Sequence, residues 1–198
     1  MTMRPRPRSL WLPVALSLLA LPGCASAPRL YVNPEADMTV YQRIAVLPLA
    51  NLTSDRFAAE RVMRSLVTEI ILAERFQIVE STEFWIRLQE VGGEPGADGI
   101  IKPDKLKEAA AAAKVQGVLR GAVTEYGTLR EGSGEVAQVG FDVELIDAPT
   151  GNVVWRTSIH RTGKGRVPLV GGSGTRSVGI LTEDACKEVV ARLKSEVF

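Results

Sequence analysis

Hydrophobic and polar positions along the chain alternate between two periods, and the elements follow from them. The run "QRIAVLPLA" (42–50) is almost continuously apolar and rich in β-formers, which predicts a strand buried on both faces. From about Ser54 to Ala73, Phe57, Val62, Leu66, Ile70 and Leu72 recur near helical spacing, with Glu60, Arg61, Arg64 and Glu69 between them. That spacing predicts an amphipathic helix. "RFQIVE" (75–80) reads as a second strand, and Ser81 or Thr82 can cap a short helix, "EFWIRLQEV". The glycines and prolines of "GGEPGADGIIKP" mark a loop. "DKLKEAAAAAK" (104–114) follows as an alanine-rich helix, and "GVLRGAVTEYG" (117–127) as a third strand.

Beyond it the period changes to two. "VAQVGFDVELID" (136–147) places Val139, Phe141, Val143 and Leu145 on one face, "APTG" supplies a turn, and "NVVWRTSIHRTG" (152–163) returns as a hairpin. A final helix from about Val178 to Val197 buries Ile180 or Leu181, then Ala185, Val189 and Leu193. The sum is an α/β domain with a mixed, partly antiparallel sheet of about five strands packed by three or four helices.

The first 23 residues follow a different logic. Arg4, Arg6 and Arg8 precede an apolar stretch from Leu10 to Leu21, interrupted by Pro13 and followed by small residues. This is the layout of a secretory leader. At about twelve residues the stretch falls short of the roughly 20 that a membrane-spanning helix needs. Leu21-Pro22-Gly23-Cys24 resembles the bacterial lipobox. The resemblance implies cleavage after Gly23 and a diacylglycerol on the Cys24 thiol, with more than one acyl chain giving a stable membrane anchor. The expected division is a signal peptide over 1–23, a lipidated N-terminus and short tether over 24–40, and a folded domain over 41–198.

Charge and cysteine content narrow the function. The chain carries 24 Lys+Arg and 23 Asp+Glu, and three of the arginines leave with the leader. With no basic excess, a nucleic-acid partner is not expected. Cys186 is the second of two cysteines and sits in a helical pattern, so it reads as a small buried residue and not a reactive thiol. His160 is the sole histidine, on a predicted hairpin strand, without the neighbours that a general base or a zinc site requires. The glycine stretch "GGSGTRSVG" (171–179) lacks the lysine and spacing of a phosphate-binding loop. Phe84, Trp85 and Trp155 are the aromatic candidates for a binding surface, and their spacing favours the core. No catalytic residue, cofactor site or metal site is expected.

"RIAVLPLANLT…AAERVMRSLVTEIILAERFQIVE", "KVQGVLRGAVTEYG" and "VGFDVELIDAPTGNVVWRTSIHRTGKG" together resemble the CsgG/LpoB-like superfamily of curli-secretion and penicillin-binding-protein-activator lipoproteins. The resemblance covers about residues 42–163. It implies a non-catalytic lipoprotein of the outer membrane that faces the periplasm and works through protein contacts. Ala25 after the cysteine is compatible with outer-membrane sorting. Between Tyr126 and Val136, and between His160 and Ser177, the chain holds no pair of alternating 9–11-residue strands such as a membrane barrel requires. The expectation is therefore an adaptor of an envelope complex, anchored in outer-membrane lipid through Cys24, for secretion, surface-structure assembly or peptidoglycan-synthase activation. A ring-forming homo-oligomer, and a small-ligand binder or enzyme using Cys186 or the 171–179 loop, are the alternatives.

Overall fold

A computed structural model describes residues 29–94, 101–131, 134–163 and 177–197. In chain order its elements are β1 (Arg29–Val32), a 3-10 turn (Met38–Val40), β2 (Arg43–Val46), β3 (Ala50–Asn51), α1 (Ala58–Leu72), β4 (Gln77–Val79), α2 (Ser81–Glu90), α3 (Pro103–Ala113), β5 (Gly117–Glu131), β6 (Gly134–Asp147), β7 (Val153–Thr162) and α4 (Val178–Val197). The sheet runs β1-β7-β6-β5-β2-β4, with β3 added beside the outer half of β5. β2 is parallel to β4 and β5, whereas β5, β6, β7 and β1 are antiparallel in succession. The expected class holds, with seven strands where the sequence predicts about five.

Two layers of helix cover the sheet unequally. On one face α1 and α4 bury Val62, Leu66, Ile70, Ala185, Val189 and Leu193 against Ile44, Val46, Phe141, Val143, Leu145 and Trp155. Each Val, Leu, Ile or Phe side chain among them, taken fully from water, adds about 1.5–3 kcal/mol. On the other face α2 and α3 bury Phe84, Leu88, Leu106 and Ala109 against Ala45, Leu47, Val79, Val118 and Ile146. These residues reach across β4 and β2 to the first turn of the β5–β6 ladder. The outer parts of β5, β6 and β7, and β1 beyond them, carry polar residues on that face.

Local chemistry sets the ends of elements. Pro103 opens α3 at its first turn, and Lys114 closes it in the left-handed region at φ 55°. The β6–β7 turn is tied by Asp147, whose Oδ2 accepts from the Thr150 amide at 2.9 Å and its hydroxyl at 2.6 Å. The other carboxylate oxygen accepts from the Tyr41 hydroxyl at 3.0 Å, joining this turn to the start of β2.

Three expectations need correction. The segment read as a tether over 24–40 enters the fold from Arg29 onward: β1 pairs with β7, Asp37 caps the 3-10 turn, and Met38 is buried. The strands predicted over 117–127 and 136–147 run further, the β5–β6 ladder continuing as far as Glu131 and Gly134. Phe57 and Leu72, placed on the buried face of α1, are exposed, because the buried face runs through Ala58, Val62, Leu66 and Ile70 at four-residue spacing and the helical turn carries Leu72 off that face. On α4 the buried residue is Leu181, and Ile180 is exposed. Among the described residues no helix is long and apolar enough to cross a membrane.

Candidate functional site

Where the chain leaves the carboxyl end of β2, Leu47 and Leu49 turn inward beside the start of α2. The carboxyl ends of strands in open α/β sheets are where crevices form. Here the crevice is a groove of about 850 Å³ between the α2 layer and the uncovered face of β5, β6 and β7. Its wall is apolar, formed by Leu47, Leu49, Met63, Trp85 and Ile101. Ser81 anchors that wall, its hydroxyl donating to the Val46 carbonyl at 2.6 Å.

The floor is charged. Arg120 of β5 stands opposite Glu144 of β6, and Glu144 stands opposite Arg156 of β7, so register alone lines the three up on one face. Arg120 Nε donates to Glu144 Oε1 at 2.6 Å, and Arg156 Nη1 lies 3.5 Å from Glu144 Oε2. Arg156 Nη2 also donates to Asp142 Oδ2 at 3.2 Å. Opposite charges facing across strands are mutually stabilising. Glu144 is almost wholly covered, with its side chain 10% exposed, while Arg120 and Arg156 remain half open to the groove. Gly121 lets the ladder close here, since a Cβ at that position would stand 2.0 Å from the Asp142 carbonyl oxygen.

The sequence candidates are scattered. Phe84 and Trp155 are core, as their spacing suggests, but Trp85 faces the groove. His160 is an exposed strand residue whose Nε2 meets Glu125 Oε2 at 2.8 Å. Cys186 is buried, with Sγ 3.7 Å from the Val62 carbonyl, and burial pushes its thiol up to about 12. A thiol held that high is protonated at neutral pH and unreactive. Cys24 and residues 171–176 lie outside the described residues. Among the described residues no cluster of His, Cys, Asp or Glu has the makings of a metal site. The groove thus offers an apolar wall and paired guanidiniums, an arrangement suited to holding a partner's side chains.

A family model described as peptidoglycan-synthase activator LpoB matches residues 24–158. A search of curated proteins gives no match. Among solved structures, a PelC dodecamer from Paraburkholderia phytofirmans is similar at 21% identity over 83% of this chain and 94% of that one, with TM-score 0.57. Lipoprotein GNA1162 from Neisseria meningitidis is similar at 19% identity over 75% of this chain and 98% of that one, with TM-score 0.52. The hypothetical protein CT253 from Chlamydia trachomatis is similar at 11% identity over 78% and 96%, with TM-score 0.53. At these identities the likeness establishes the fold.

Proposed function

Because this chain belongs to the peptidoglycan-synthase activator LpoB family, we propose that it is a lipid-anchored envelope protein that acts by docking on a protein partner, without chemistry of its own. In this reading residues 1–23 are removed, Cys24 carries the lipid, and the domain begins at Arg29. The lipobox residues Leu21, Gly23 and Cys24 support the anchor, and Ala25 supports retention at the outer membrane, facing the periplasm. The partner of choice is a peptidoglycan synthase, and the groove between α2 and β5 is the docking site.

The observation that carries this reading is the pairing of family membership with the groove's composition. Trp85 offers a rigid aromatic anchor of the kind that dominates interface energetics, and Arg120 offers guanidinium hydrogen bonds at the groove's edge. The test adds the purified mature domain to the peptidoglycan synthases of the same bacterium and measures glycan polymerisation. A rate increase with the native domain, lost in Trp85→Ala, is the expected result. No change with any synthase overturns synthase activation.

A second reading, supported by the likeness to the PelC dodecamer, is that this chain forms a homo-oligomeric ring. Light scattering on the detergent-extracted protein separates the two: a particle of many copies supports the ring, and a monomer at high concentration rejects it.

A further inference from the structure

Arg29, where the described fold begins, is five residues beyond Cys24. Fully extended, that stretch spans at most about 17 Å. If Cys24 holds the lipid, as proposed above, Arg29 lies within that distance of the headgroup layer. The sheet register then limits which strand end or sheet edge can face the membrane.

Neither end of the strands can. Arg29 stands opposite Ser158 of β7, and Ser158 opposite Asp142 of β6. From Asp142, β6 runs seven residues outward to Glu135, which pairs with Arg130. That is about 24 Å at the usual strand rise. An end-on domain would push this exposed Arg130–Glu135 pair past the anchor and into the lipid, where charged side chains are strongly disfavoured. In the other direction, β7 runs five residues from Ser158 to Val153, about 17 Å. The leash would be used up along the flank before reaching the end of the molecule. The far edge of the sheet, β4, lies five strand spacings from β1, about 24 Å away.

Of the strand ends and sheet edges this leaves the β1 edge, and its chemistry suits a lipid surface. None of its four residues is buried, and among the described residues no strand pairs with its outer edge. Leu30 and Tyr31 are 37% and 49% exposed, on opposite faces of the strand. Arg29 is exposed beside them, and Arg156 lies opposite Tyr31. An amphipathic tyrosine beside the exposed Arg29 guanidinium matches the interface between acyl chains and phosphodiester headgroups.

We propose that the β1 edge rests on the phospholipid surface, with Leu30 and Tyr31 in the headgroup layer and the strands running along the membrane plane. The inference rests on the anchoring role proposed for Cys24. It places the groove, three strand spacings or about 14 Å from β1, beside the bilayer.

Hydroxyl-radical footprinting read by mass spectrometry tests this. The protein carried by its own lipid on vesicles of phosphatidylethanolamine and phosphatidylglycerol is compared with Cys24→Ser free in buffer. Labelling of Leu30 and Tyr31 is expected to fall severalfold on the vesicles, while Leu72 and Ile86 are unchanged. Equal labelling of Leu30 and Tyr31 in both samples overturns the proposal, as does protection confined to Phe57 and Leu129. Intact mass reads the anchor separately. If no acyl mass is present, the same footprint on protein coupled through Cys24 to a maleimide phospholipid still decides the orientation.

Discussion

Arg192 and Thr157 meet at 2.8 Å, with the guanidinium Nη1 of α4 donating to a hydroxyl on β7. That hydroxyl in turn donates to the Arg29 carbonyl at 2.9 Å. A side chain with 1% exposure therefore links the last helix to the first strand. Thr157→Val keeps the shape and removes both bonds. The expected cost is about 1–3 kcal/mol in urea unfolding, with amide exchange rising first in β1. Unchanged exchange in β1 would deny the relay its role.

Glu144 and its arginines predict an asymmetry. Glu144→Gln leaves two half-exposed guanidiniums that water can solvate, and should cost about 1 kcal/mol. Removing Arg120 and Arg156 together leaves a largely covered carboxylate without its donors, and should cost more, about 1–3 kcal/mol. Urea unfolding of the two variants gives the comparison directly.

Glu188 predicts the response to acid. Burial raises its pKa, but hydrogen bonds and charge from Arg161 and Arg192 outweigh that, so the carboxyl sits below its ordinary 4.5. A group depressed in the folded state contributes fully above its unfolded value and loses that contribution as pH falls through the folded one. Stability is expected to fall with pH below 4.5, and Glu188→Gln should flatten that fall while lowering stability at neutral pH. Urea midpoints measured across acidic buffers check both.

Cys186 predicts silence. With its thiol pushed up to about 12 by burial, then by Glu69 and Glu183, it carries negligible thiolate at neutral pH. In Cys24→Ser protein, iodoacetamide should modify Cys186 only at the rate of unfolding. Rapid modification of the native protein would contradict the burial.

The helices and the central strands were legible because their periods are long and clean. Val139, Phe141, Val143 and Leu145 alternate without interruption and all are buried. The LpoB resemblance carried by those strands is borne out by the family match. β1 was hidden for a physical reason: "RLYV" is four residues long, lies between prolines, and gains its partner from across the chain. The hairpin's extension was hidden by glycines that signal a turn but here sit within or beside a ladder. The groove floor was the least visible part. Arg120, Glu144 and Arg156 look like ordinary polar-face residues until hairpin register sets them side by side. A usable signal existed, since alternation puts Asp142 and Glu144 on the face opposite Phe141 and Val143.

Matched charges on the groove floor also shape how a partner arrives. Arg120 and Arg156 are offset by Glu144 and Asp142, leaving almost no field to reach a distant molecule. Encounter at this face is then unsteered, at the roughly 10⁵–10⁶ M⁻¹s⁻¹ of ordinary docking, and nearly indifferent to ionic strength. Discrimination falls to residence time, so the right partner differs from the wrong one in how slowly it leaves.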